Sequence, residues 1–184
     1  MSQTHTTLPR LQFIDARKDT WHTLGGEDGP ISHPSPAPNL LLSLAQWHAV
    51  RDTWPQGLAV GVQFPNDADI ETLAADLPRL ALVALAFPKW TDGRAYSQAR
   101  LLRERHGYDR ELRAIGQILR DQFVFMTRAG FDAFEVKKDA DADAFAATMK
   151  RYSVFYQPTG DGRVTALNRR MQLRHSESAR SEEH

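Results

Sequence analysis

The 184-residue chain contains no cysteine. That excludes disulfides, thiolate nucleophiles, iron–sulfur ligation and thiol redox chemistry supplied by this chain. It also lacks net charge, because 23 Lys and Arg balance 23 Asp and Glu. A neutral chain gives no global electrostatic case for nucleic acid or an anionic membrane surface, so recognition of charge has to be local. Long apolar runs are missing too. The longest, Leu80 to Phe87, ends at Pro88, far short of the roughly 20 residues needed to cross a bilayer. The opening Met1-Ser2-Gln3-Thr4-His5 has no apolar run, so no secretory signal is expected, and the default expectation is a cytoplasmic protein with neither membrane nor nucleic acid as partner. Common catalytic fingerprints are absent as well: G-x-G-x-x-G, the P-loop, H-E-x-x-H and G-x-S-x-G. The seven histidines have no metal-like spacing, and His48 and His106 read as structural residues of helices. The expectation is therefore no metal site and no evident cofactor.

What is present is enough apolar residue, 41%, for one domain with a real core. Residues 1–39 read as an irregular arm, with Leu11 to Ile14 as a possible short edge strand and Pro34, Pro36 and Pro38 as an extended proline-rich stretch. Residues 40–174 read as a single α/β domain, and 175–184 as a polar, flexible tail. Within the domain, Leu40 to Arg51 has helical periodicity. Leu58 to Phe64 reads as a buried strand, followed by a helix to about Asp76 capped by Asn66 or Asp67. Leu80 to Phe87 is continuously apolar, the mark of a strand buried on both faces in a parallel sheet. Then come a helix over Asp92 to His106, a strand over Glu111 to Gly116, and a helix over Gln117 to Ala129 with Gly130 at its end. A strand over Phe131 to Val136, a helix over Ala140 to Arg151 and a strand over Tyr152 to Gln157 complete the pattern. This alternation predicts an α/β fold with a mainly parallel sheet of about five strands and flanking helices, joined by right-handed crossovers. The sheet is expected to be an open three-layer one or a partial barrel, since five strands cannot close an eight-stranded barrel.

In open parallel sheets ligands bind beyond the carboxyl ends of the strands. Those edges are Pro65-Asn66, the loop Pro88 to Arg94, Gly116-Gln117 and Lys137-Lys138. The second is the richest. Lys89 and Arg94 flank it, and Thr91, Tyr96 and Ser97 add hydroxyls, a set suited to an anion. From Lys89 to Arg128 nine Lys or Arg face five Asp or Glu, and Arg120 joins Arg94 as a cation near the start of a helix that follows a strand. The ligand-binding candidates are therefore Lys89, Thr91, Arg94, Ser97 and Arg120. Asp92 and Asp121 are the carboxylates that could move a proton. A structural reading stands beside each: Asp92 as helix cap, Gly93 as turn residue, Trp90 as core plug, Arg100–Glu104 as a helix-surface pair, and Arg120-Asp121-Gln122 as a bridge between helices.

The stretches Phe87 to Arg94, Tyr96 to Arg105, Glu111 to Gly116, Leu119 to Gln122 and Gly130 to Glu135 together resemble, in order, a proteobacterial family of unknown function whose members carry the label of oxidoreductases of sulfite reduction. The resemblance covers roughly residues 58–157. It implies a place in sulfur assimilation. A chain without cysteine or a dinucleotide motif does not fit the reducing enzyme itself, so the implied role is an accessory one. That accessory protein of assimilatory sulfite or sulfate reduction would bind a small oxyanion, or a partner such as sulfite reductase or another sulfur-assimilation protein, at the carboxyl edge of the sheet. Two alternatives remain: a small α/β enzyme acting on an anionic metabolite, and an interaction protein with no small-molecule site.

Overall fold

The computed structural model describes residues 11–15, 17–24, 31–136, 147, 155, 156, 159 and 165–171. Seven strands form one sheet: β1 (Gln12–Asp15), β2 (His22–Thr23), β3 (Leu40–Ser43), β4 (Val60–Phe64), β5 (Leu82–Phe87), β6 (Glu111–Gly116) and β7 (Ala133–Val136). Their order is β1-β7-β6-β5-β4-β3-β2, and every pairing is parallel. Among the described residues, α1 (Leu44–Val50), α2 (Arg94–Arg100) and α3 (Phe123–Ala129) pack on it.

The order dictates a curl. At about 4.8 Å between neighbours, a flat seven-stranded sheet holds its outer strands about 29 Å apart. Those outer strands, β1 and β2, are joined by the chain between Asp15 and His22. Both run the same way, so this link must also return the length of a strand. Fully extended, it reaches only about 25 Å. The sheet therefore bends into a half-barrel, and the link crosses its concave face. One set of alternating side chains, including Leu42, Val62, Phe64, Val83, Leu85, Leu112, Ala114 and Phe134, joins Trp47, Ala95, Ala99, Phe123 and Met126 of the helices in the main core. The opposite set, Leu41, Leu82, Ala84 and Ile115, forms a small second cluster against Trp21 of the link. Strand β5 is buried on both faces because helices cover one side and the link the other.

The parallel α/β class expected from the alternation is what the chain adopts, as a partial barrel. Four of the expected strands correspond to β4, β5, β6 and β7. Two more lie in the stretch read as an irregular arm: β1, the edge strand expected over Leu11 to Ile14, and β2. The third addition corrects the reading of Leu40 to Arg51 as one helix: Leu40–Ser43 is strand and only Leu44–Val50 is helix. The apolar triplet Leu40-Leu41-Leu42 is buried in the sheet. Ser43 then ends the strand by capping α1, accepting from Gln46 N while Gln46 Oε1 accepts from Ser43 N at 2.8 Å. After β4 there is no α-helix either. Two short 3-10 turns, Ile70–Leu73 and Leu77–Arg79, take its place. Asp69, rather than Asn66 or Asp67, caps the first, and Pro78 sits in the first turn of the second, where its missing N–H costs no bond. The helix after β5 runs on from α2 as a π-turn over Leu101–Arg105. The helix after β6 is shorter than its apolar pattern, since Arg120–Gln122 is 3-10. Gly130 ends α3 in the left-handed conformation, as read from the sequence. The expected helix over Ala140 to Arg151, strand over Tyr152 to Gln157, edge at Lys137-Lys138 and tail over 175–184 lie largely or wholly outside the described residues. Among the described residues, no helix is long and apolar enough to cross a membrane.

Candidate functional site

The carboxyl ends of β5, β6 and β7 converge. Gln117 N donates to Phe87 O at 2.8 Å. Gly116 has φ +95°, and any Cβ there would lie 2.6 Å from Phe87 O. Only glycine lets the two strand ends approach so closely. Beyond them, the loop after β5 and the loop after β6 are tied by Gln122, whose Nε2 donates to Trp90 O at 2.8 Å while its Oε1 accepts from Leu119 N. The tie leaves a cleft of about 230 Å³ lined by Trp90, the Gly116–Arg120 loop, Phe123, Glu135 and Val136.

The candidates from sequence divide around this cleft. Arg120 lines it. Lys89, exposed, is the loop neighbour of Trp90. Arg94 is committed elsewhere: its guanidinium forks onto Asp92, with Nη2 at 2.7 Å and Nε at 3.0 Å. Its backbone N also donates to Asp92, which makes the carboxylate both cap and counter-ion. These bonds hold the Asp92 carboxyl well below its usual range, with Asn66 beside it adding to the effect. Thr91 and Ser97 are exposed. Asp121, also exposed, lies close enough to Tyr96 to act on it: burial first, then the Asp121 charge, push the Tyr96 hydroxyl up to about 12. The Tyr96 ring packs edge-on against Phe87 and Phe131.

Most of the basic stretch is neutralised internally. Arg100 pairs with Glu104 at 3.3 Å, the helix-surface pair expected from the spacing, and Arg105 pairs with Glu71 at 3.0 Å. Arg103 donates to Gly130 O, Tyr108 O, Arg110 O and Asp132. Lys89 makes no ion pair with any described residue.

Two features were missed from sequence. Arg113, 2% exposed, projects from β6 onto the concave face, where Glu111 holds it at 2.7 Å and Asp19 of the β1–β2 link forks onto it. A buried guanidinium between two carboxylates anchors the link across the sheet. Glu135 is the other. It alternates along β7 with Phe134 and Val136 of the helix-side core, so its carboxylate faces the concave side, at the cleft. The signal was a charge one residue from the carboxyl end of an otherwise buried strand. A second, mainly apolar cleft of about 570 Å³ lies over the carboxyl ends of β3 to β5, between His48, Gln63, Pro65 and Ala86.

A curled parallel sheet with helices outside and a cleft at its carboxyl edge places the chain among half-barrel α/β proteins. Residues 61–167 match a family described as bacterial protein of unknown function, DUF934, and the chain belongs to it. The match takes in β4 from Gly61 onward, β5 to β7 and every loop that builds the cleft. No curated protein matches the chain.

Proposed function

We propose that the protein is an accessory factor of assimilatory sulfite or sulfate reduction that binds a small anionic ligand, or the acidic surface of a reductase partner, at the carboxyl edge of β5 to β7. The observation that carries the binding part is the cleft lined by Arg120 and Trp90, with Lys89, which makes no ion pair with a described residue, on the adjoining loop. Carboxyl-edge placement supports it, because loops there vary freely on a fixed scaffold. The sulfur-assimilation setting is supported by the family resemblance alone.

Two experiments test the reading separately. A deletion strain grown on sulfate, sulfite, sulfide or cysteine as sole sulfur source is expected to be rescued by sulfide and not by sulfite. Growth on all four removes the pathway. Sulfate and sulfite are expected to raise the melting temperature of the purified protein, and Lys89→Ala with Arg120→Ala is expected to abolish the rise. A rise that survives both substitutions places the anion elsewhere. A small α/β enzyme acting on an anionic metabolite is the second reading, favoured by the Glu135 carboxylate in the same cleft.

A further inference from the structure

Glu135 is half-buried, lines the cleft, and makes no hydrogen bond or ion pair with any described residue. A partly shielded carboxylate with no donor beside it gains from a bound donor or cation. The same cleft is lined by Arg120, whose five N–H donors let it serve more than one acceptor. A bare oxyanion placed between them is drawn to one side and repelled from the other. Trp90, 53% exposed, adds an indole, the ring that best holds an ammonium group. Ile118, Leu119 and Val136 supply an apolar wall. The volume, about 230 Å³, equals roughly seven or eight waters at liquid density, the scale of a small metabolite.

We infer that the cleft takes an amphoteric small molecule of the α-amino acid type, its ammonium on Glu135 and its carboxylate toward Arg120, with a short apolar side chain on the Ile118–Val136 wall. The inference deepens the anion reading and rests on it for the Arg120 end.

The test is calorimetric titration of the full-length protein with four probes: L-norvaline, which carries both charges; pentanoate, the anionic end alone; n-butylamine, the cationic end alone; and sulfate. Norvaline is expected to bind at least about tenfold more tightly than pentanoate or butylamine, the scale of one charge-assisted hydrogen bond. Glu135→Gln, nearly the same in shape, is expected to bring norvaline down to pentanoate while leaving pentanoate no weaker. Norvaline binding no tighter than pentanoate overturns the inference, as does a norvaline advantage that persists in E135Q. Should E135Q fail to fold, the wild-type comparison decides alone. Sulfate binding without a norvaline preference sinks this inference and leaves the anion reading standing. Failure of sulfate, pentanoate and norvaline together removes both.

Discussion

At Gly116 two constraints coincide: a left-handed φ of +95° and a backbone carbonyl 2.6 Å from where a Cβ would sit. A flexible side chain could move aside, but the Phe87 carbonyl belongs to β5 and cannot. Gly116→Ala is expected to cost about 2–4 kcal/mol in urea unfolding, and to part the strand ends that floor the cleft. Tyr96 gives a test by titration. Its hydroxyl keeps its proton to about 12 in the folded chain, against an ordinary value of 10.0. The folded state thus holds a proton the unfolded chain releases. This contribution to stability is fully present below pH 10 and is lost as pH rises towards 12. Ultraviolet titration is expected to show the Tyr96 phenol unionised at pH 10.5, and Tyr96→Phe to flatten the alkaline loss of stability over that window.

Elements differ in how plainly the sequence announces them. The strands β4 to β7 were legible because an unbroken or alternating apolar run has few other solutions. β3 was not, since Leu40 to Arg51 joins a buried strand to a helix through Ser43 alone, whose Ser43-x-x-Gln46 capping signature is the one break in a merged pattern that imitates a longer helix. The anion loop was legible as a position but not as a set of partners. Asp92 and Arg94, two residues apart, satisfy each other, and spacing alone does not say which cation stays available. Glu135 and Arg113 were hidden because strand parity places them on the concave face, and only the curl makes that face a site. The amino ends of β6 and β7 are held by one such satisfied group. Asp132 accepts from Leu112 N at 2.8 Å and from Arg103 at 2.8 Å, and burial pushes its carboxyl up against those bonds. Asp132→Ala would leave a part-buried guanidinium without its carboxylate and a strand N–H unmatched. A loss of about 3 kcal/mol is expected, with faster hydrogen exchange in both strands.

For the molecule as a whole, the link between Asp15 and His22 sets the curvature. It leaves β1 through a turn, Lys18 N donating to Asp15 O at 2.8 Å, and is pinned at mid-course by Asp19 on Arg113. Asp19→Ala leaves that buried guanidinium with Glu111 alone and is expected to lower stability by about 2–4 kcal/mol. Length is the sharper test. Deleting Arg17 and Lys18 is expected to prevent β1 and β2 from pairing at once, whereas inserting two glycines after Lys18 leaves the melting temperature within a few degrees. Equal effects of the two changes would show that the link does not set the curl.

The edge pairings also bear on how the chain comes off the ribosome. Gln12 pairs with Ala133, so the first of the described strands to be made must wait for the last of them before it has a neighbour. β2 waits for β3. The middle of the sheet, built from consecutive strands, can assemble as it emerges. The N-terminal segment is left to be added at the end, across a long loop closure. Translation order and folding order therefore run in opposite directions for these residues, and a nascent chain stopped before β7 holds an unpaired β1 exposed to other chains.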